Sequence, residues 1–351
     1  MTKNILVTGG AGFIGSHTCV ALIEAGFTPL VIDNLDNSDE SALARVAQVA
    51  ACPAPVTFWR GDVRDGALLD DIFATHAVHA VVHFAGLKSV GESVAQPVSY
   101  YDCNVQGSLS LVAAMQRAGV HRLIFSSSAT VYGQPDRSPV SESAALQPCS
   151  PYGRSKLFVE RLLQDLAQAD ARWRIASLRY FNPAGAHPSG LLGERTSGAP
   201  NNLLPVLCKV ASSASERLTV HGGDYPTPDG TCVRDYVHVM DVAEGHLAAL
   251  RHLDAHAGAC TFNLGVGRGT SVMELIGAFG RACGSQVRHA VGPRRDGDAA
   301  AYWADVGLMR AATGWSARRT IADICGDAWR WQQAQLQQAR VVQPERVPAF
   351  A

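Results

Sequence analysis

The sequence is poor in the features that mark several large classes of protein. Lys+Arg 30 against Asp+Glu 31 in 351 residues gives a net charge of −1, so no basic excess exists for nucleic acid or an anionic membrane surface. No apolar run is long enough to span a bilayer. The 9 cysteines contain no Cys-x-x-Cys pair and the 12 histidines no His-Glu-x-x-His, which argues against a disulfide framework and against a structural or catalytic metal. The first residues run directly into an apolar strand with no charged lead or cleavage site, and together with the scattered thiols this predicts a cytoplasmic protein. What is present is a chain that is 47% hydrophobic and 17% charged, able to bury a large core as one unit or two.

Residues 4–33 read as strand, glycine turn, helix and strand. Ile5-Leu6-Val7 leads into Gly9-Gly10-Ala11-Gly12-Phe13-Ile14-Gly15; a helical pattern runs to Ala25, Gly26 stops it, and Leu30-Val31-Ile32 ends at Asp33. The glycines have separate tasks. Gly9 permits a tight turn, Gly12 lets backbone N–H groups approach a diphosphate at the helix start, and Gly15 lets helix and strand pack closely. A carboxylate at the end of the second strand accepts hydrogen bonds from a ribose 2′-hydroxyl and repels a 2′-phosphate. The following residues, Asn34, Leu35, Asp36, Asn37 and Ser38, include no arginine to receive that phosphate. The unit predicts NAD as cofactor.

Strands and helices keep alternating to about residue 181. Residues 39–55 are helical in pattern, and Asp62 and Val63 follow a strand; Asp62 suits either an acceptor for an adenine amino group or a helix cap. The strand at Ala80–Phe84 ends in small residues, Ala85-Gly86-Leu87-Lys88, as expected where a ligand crosses a sheet. Residues 100–117 read as a helix with Val105, Leu109, Val112 and Met115 or Gln116 at helical spacing. A strand at Leu123–Thr130 ends in hydroxyls; buried serines there can satisfy backbone groups, but Ser128 is better read as a donor to a substrate oxygen.

Ser150-Pro-Tyr-Gly-Arg-Ser-Lys156 then places Tyr152 and Lys156 four apart on a helix, hence on one face. A phenol with a pKa of about 10 is a poor base at neutral pH. An ammonium about 5 Å away at an effective dielectric near ~20 is worth about 3 kcal/mol, and an oxidised nicotinamide adds to it, which brings the phenol toward working range. Further along this helix Phe158, Leu162 and Leu166 form one stripe, with Val159 and Leu163 on the next. That width suits a sheet plus a partner, or a helix buried deep within one subunit.

Past Arg179-Tyr180-Phe181-Asn182-Pro183 the alternation fails, and Gly- and Pro-rich stretches at 183–200 and 222–230 take over. The expectation is an NAD-binding domain over 1–181, a smaller substrate domain over 182–334 with segments returning to the first, and a tail at 335–351. From Gln332 that tail is Gln-rich, without apolar period, and reads as a frayed helix or disordered. Arg234 and Arg295, in turn-like contexts, suit bidentate capture of a phosphate or, equally, a surface ion pair with Asp235 or Asp298.

These motifs together with Ser126-Ser-Ser-Ala-Thr-Val-Tyr132, His83-Phe-Ala-Gly-Leu-Lys-Ser-Val-Gly-Glu-Ser93, Pro200-Asn-Asn-Leu203, Asp229 to Asp241 and Ala301-Tyr-Trp-Ala-Asp305 closely resemble the extended short-chain dehydrogenase/reductases, and among them the UDP-glucose 4-epimerase family. The resemblance runs from Lys3 to about Gln333. It implies a Rossmann-type α/β fold and reversible C4 epimerisation of UDP-galactose and UDP-glucose through a 4-keto sugar and transient NADH. UDP-N-acetylglucosamine epimerisation, or another nucleotide-sugar epimerase or dehydratase activity, is the alternative.

It further implies NAD contacts from Phe13, Ile14, Asp33 to Ser38, Asp62, Val63, Phe84, Ala85, Gly86, Leu87, Lys88, Tyr152, Lys156 and Phe181. Ser128 and Tyr152 match the residues at the reacting hydroxyl. Asn182, Asn202, Leu203, Thr219, Val220, His221, Arg234, Arg295 and Tyr302 match contacts to the UDP-sugar. Tyr302 corresponds to the position beside the sugar's C2 substituent, where enzymes accepting N-acetylhexosamines carry Cys or Ser. Two positions depart from the family pattern: Cys103 replaces a usual cofactor-contacting asparagine, and His221 a larger apolar or aromatic residue near the uracil. The family also works as a homodimer through helices at 100–117 and 153–168.

Overall fold

The computed structural model describes residues 2–195, 202–213, 216–295 and 297–342. Strands β1 (Asn4–Thr8), β2 (Thr28–Asp33), β3 (Thr57–Arg60), β4 (Val78–His83), β5 (Arg122–Ser128) and β6 (Arg174–Tyr180) alternate with helices, the first being α1 (Phe13–Glu24). They form a parallel sheet in the order β3-β2-β1-β4-β5-β6, and a later strand, Gly258–Leu264, adds a seventh beside β6. This is the doubly wound α/β arrangement expected from the alternation.

The pleat divides each strand between two cores. Ile5, Val7, Val31 and Ile124 enter one hydrophobic cluster. Leu6, Leu30, Ile32, Leu123 and Phe125 enter the other. Burial on both faces is why these strands read as nearly continuous apolar runs. Strand order reverses between β1 and β4, and the crevice past their C-terminal ends is where such sheets hold ligands.

The region expected as one helix at 100–117 is instead Pro97–Tyr101, a π-helical turn at Asp102–Gln106, and a helix at Gly107–Arg117. The wider turn inserts a residue and shifts the inward stripe. Val105, Val112 and Met115 are buried as expected, but Leu111 is buried in place of Leu109, which is 38% exposed. The helix expected over 39–55 is confined to Ser41–Val49.

After β6 the chain builds short strands: Leu218–His221 beside His289–Gly292, Asn182–Ala184 beside Tyr236–His238, and a three-stranded sheet of Thr270–Ser271, Val233–Arg234 and Ala301–Tyr302. Their shared core holds Leu204, Leu207, Leu275, Phe279 and Ile324. Of the two readings of the Gln-rich segment, its described part takes the helical one: the helix Ile321–Val342 continues through it, anchored by buried Ile324, Ala328 and Trp331. Gln and Ala are good helix formers, so a helix once anchored extends without an apolar stripe. Residues 343–351 of the expected tail lie outside the described part. Among the described residues no helix is long and apolar enough to cross a membrane.

Candidate active site

At the glycine turn, Gly9 has φ +71°, and a Cβ there would stand 2.7 Å from the Ala85 nitrogen. A Cβ on Gly15 would collide with the Gly9 carbonyl oxygen and the Gly10 Cα, so Gly9 allows the tight turn while Gly15 lets the helix pack against that turn rather than against a strand. Gly12 is the N-cap of α1 and supplies no side-chain cap, leaving the first-turn N–H groups to a ligand. The Asp33 carboxylate, 8% exposed, accepts from Ala11 N at 3.0 Å, Leu35 N at 2.9 Å and Ser38 Oγ at 2.8 Å, which fixes it at the mouth of the turn. An uncapped helix start facing a held carboxylate fits a diphosphate and a ribose diol, the two polar parts of NAD.

One cleft of about 1540 Å³ gathers nearly every residue singled out from the sequence. Its cofactor end is lined by Gly9, Gly12, Phe13, Ile14, Gly15, Asp33, Asn34, Asp36, Asn37, Ser38, Asp62, Val63, Phe84 to Lys88 and Cys103. Leu35 is the exception. Its φ of 64° turns the side chain into the hydrophobic core, so it does not line the cleft. The cap alternative for Asp62 fails: Asp65 caps the following helix, while Asp62 takes Arg64 N at 2.9 Å and Asn34 Nδ2 at 3.1 Å.

At the centre stand Tyr152, Lys156 and Ser128. Pro151–Ala169 is a helix whose N-cap, Ser150, accepts from Gly153 N at 3.2 Å, so Tyr152 and Lys156 project from its first two turns. Burial pushes the Tyr152 phenol up, and a hydrogen bond with Ser128 opposes that. Burial also lowers Lys156 to about 8. The electrostatics therefore differ from the sequence-based expectation: desolvation, not the ammonium, dominates the phenol. Ser128 Oγ accepts from Thr130 N at 3.2 Å and Thr130 Oγ1 at 2.9 Å, so its own proton is left to donate into the cleft.

The far end is lined by Phe181, Asn182, Asn202, Leu203, Thr219, Val220, His221, Arg234, Arg295 and Tyr302. Of the motif Pro200–Leu203, Pro200 and Asn201 lie outside the described residues. Asn182 Oδ1 is buried and has no partner among the described residues, as expected of an acceptor reserved for a ligand. Arg234 lies over the Tyr302 ring at 5.1 Å and pairs with Asp298 at 3.3 Å. Asp235 is not its partner; that carboxylate is fully buried and takes the amides of Val266, Gly267 and Ala304. Arg295 stands exposed at the rim.

The sequence reading missed Asn104. It is buried in the π turn, accepts from Leu87 N at 2.7 Å, and donates to Leu87 O at 3.1 Å and Ser155 Oγ at 3.0 Å. It thereby ties the Phe84–Lys88 segment to the tyrosine helix. An asparagine inside an otherwise helical stretch was the available signal. At the neighbouring departure from the family pattern, burial pushes the Cys103 thiol up, leaving it a neutral wall of the cleft.

Residues 5–265 match the model of the NAD dependent epimerase/dehydratase family. A UDP-glucose 4-epimerase of Yersinia pestis is 53% identical over 329 residues, 93% of this chain and 97% of that one. Among solved structures, UDP-glucose 4-epimerase from Stenotrophomonas maltophila, with bound NAD and formylated UDP-arabinopyranose, superposes with a TM-score of 0.93 at 48% identity, covering 96% of this chain and 99% of that one. The Bifidobacterium longum enzyme in complex with NAD+ and UDP gives 0.91 at 47% identity, covering 95% and 99%. The chain belongs to the NAD dependent epimerase/dehydratase family and, within it, to the UDP-glucose 4-epimerases.

Proposed function

We infer that the protein interconverts UDP-galactose and UDP-glucose at C4. The observation that carries this is the single cleft in which a tyrosine–serine pair stands between a cofactor end and a nucleotide end. NAD, when bound, supplies a reversible acceptor for the hydrogen at C4. Tyr152 as phenolate takes the proton of the 4-hydroxyl, and Ser128 donates to the same oxygen. Lys156 supplies positive charge in the same cleft. Arg234 and Arg295 hold the diphosphate, while Asn182, Asn202, Leu203 and the strand residues Thr219 to His221 hold sugar and uridine. A firm grip on the nucleotide and a loose one on the hexose let the 4-keto sugar turn over between faces.

Incubating the purified protein with UDP-galactose and no added cofactor should yield UDP-glucose, and denaturation should release NAD. No conversion, or release mainly of NADP, would overturn the reading. The nearest rival within the superfamily, a nucleotide-sugar 4,6-dehydratase, needs an acid and a base to remove water across C5–C6. Here Ala129 and Thr130 follow Ser128, and Thr130 is already engaged with it.

A homodimer is part of this proposal. Large apolar side chains are exposed on adjacent elements: Val94 at 65%, Val98 at 80%, Leu109 at 38% and Phe158 at 54%. Such a surface marks an interaction site. Phe158→Glu is expected to convert the dimer to monomer in light scattering; a monomeric wild type or a dimeric variant would refute the interface. All the cysteines are free thiols, which supports a reducing compartment such as the cytoplasm.

A further inference from the structure

Glu194 lines the cleft beside Lys88 and Asn202, and Arg195 follows it in the chain. One oxygen of the Glu194 carboxylate, Oε1, takes Lys88 Nζ at 3.1 Å and Asn202 Nδ2 at 2.8 Å. Its side chain is 8% exposed. The Glu194 carbonyl accepts from Trp331 Nε1 at 3.3 Å, so the backbone behind the carboxylate is anchored. Arg195 reaches Asp39, and Ser41 Oγ at 3.3 Å, just past the cofactor run that ends at Ser38.

The two donors on Glu194 belong to different ends of the site. Lys88 closes the segment Phe84–Lys88 at the cofactor end; Asn202 is the N-cap of the helix Leu203–Ala211 at the nucleotide end. An exposed ion pair would be worth little. Here the acceptor is shielded, the bond to the ammonium is charge-assisted, and a neutral amide from the other end shares the same oxygen. A shift of either donor alters the hold on the other.

We propose that Glu194 is a positioning residue that couples the two ligands, so that seating the UDP-sugar tightens retention of NAD. The proposal rests on the reading of the site given under Proposed function. Such coupling is reciprocal: NAD must then also tighten UDP.

Holoenzyme loaded with labelled NAD is mixed with excess unlabelled NAD, and release is followed with and without saturating UDP. In the wild type UDP should slow release about fivefold or more, the lower end of ordinary coupling. In Glu194→Ala the effect should fall below about twofold, with UDP binding itself retained. Glu194→Gln keeps an oxygen for both donors and should restore most of the coupling, which a merely structural role would not explain. If Glu194→Ala does not fold, Lys88→Met cuts the same link from the cofactor end and should show the same loss. Undiminished coupling in the alanine variant, or no effect of UDP in the wild type, overturns the proposal. A protein that holds no NAD or binds no UDP refutes the site reading instead.

Discussion

Replacing Tyr152 with phenylalanine is expected to lower kcat about 10²–10⁴-fold, the range for losing a positioned general base. The fold should survive, because the ring keeps its place, edge-on to Tyr100 at a centroid separation of 6.4 Å. What disappears is the hydroxyl that bonds Ser128. NAD content should stay at the wild-type level, so the loss can be assigned to chemistry. Near-normal turnover would mean that another group takes the proton. The pH dependence has a definite sign. Burial raises the phenol, so the phenolate is the minor form at neutral pH and activity should climb as pH rises through the Tyr152 titration. Lys156→Ala removes the positive charge that Lys156, lowered to about 8, still carries at neutral pH, and should lower activity there; unchanged activity at neutral pH would show that the ammonium does not act on Tyr152.

A preference for plain hexoses over N-acetylated ones is the second large effect expected, and Tyr302 is its source. The ring packs against Phe181 at 5.6 Å and beneath Arg234 at 5.1 Å, so it is held by two neighbours and cannot swing away from a larger sugar at low cost. Forcing extra heavy atoms into such packing costs about 1–3 kcal/mol. That is a penalty of roughly 5- to 150-fold at about 1.4 kcal/mol per tenfold. Tyr302→Cys removes the ring and should narrow the ratio of kcat/KM for UDP-galactose over UDP-N-acetylgalactosamine by about that factor. A wild type that handles both sugars equally, or an unchanged ratio in the variant, would sink the idea.

The glycine turn, Asp33 and the Tyr152–Lys156 pair were legible because their logic is local. Each depends on a turn, a strand end or the pitch of one helix, and nearly all these residues meet in one cleft. The π turn at Asp102–Gln106 was not legible: its neighbours have ordinary helical periodicity, and the inserted residue shows only in the swap of Leu109 for Leu111. Asn104 and Glu194 escaped for another reason. Asn104 works on Leu87 and Ser155, and Glu194 on Lys88 and Trp331, across separations that no motif encodes. The role of Thr130 was within reach, since a hydroxyl two residues after Ser128 bonds it through a local turn.

The seventh strand of the main sheet bears on how the chain is made. Gly258–Leu264 pairs with β6 along its whole length, from Arg174 to Tyr180, and the preceding helix, Val239–Ala255, packs on α1 through Val242, Leu250 and Leu253. A nascent chain that has cleared the ribosome only to Phe181 has an open sheet edge and one face of α1 uncovered. Unpaired strand edges invite association with other chains. The sheet of the cofactor-binding half is therefore complete only when residue 264 has emerged, and a truncation before that point leaves the whole edge of β6 unpaired.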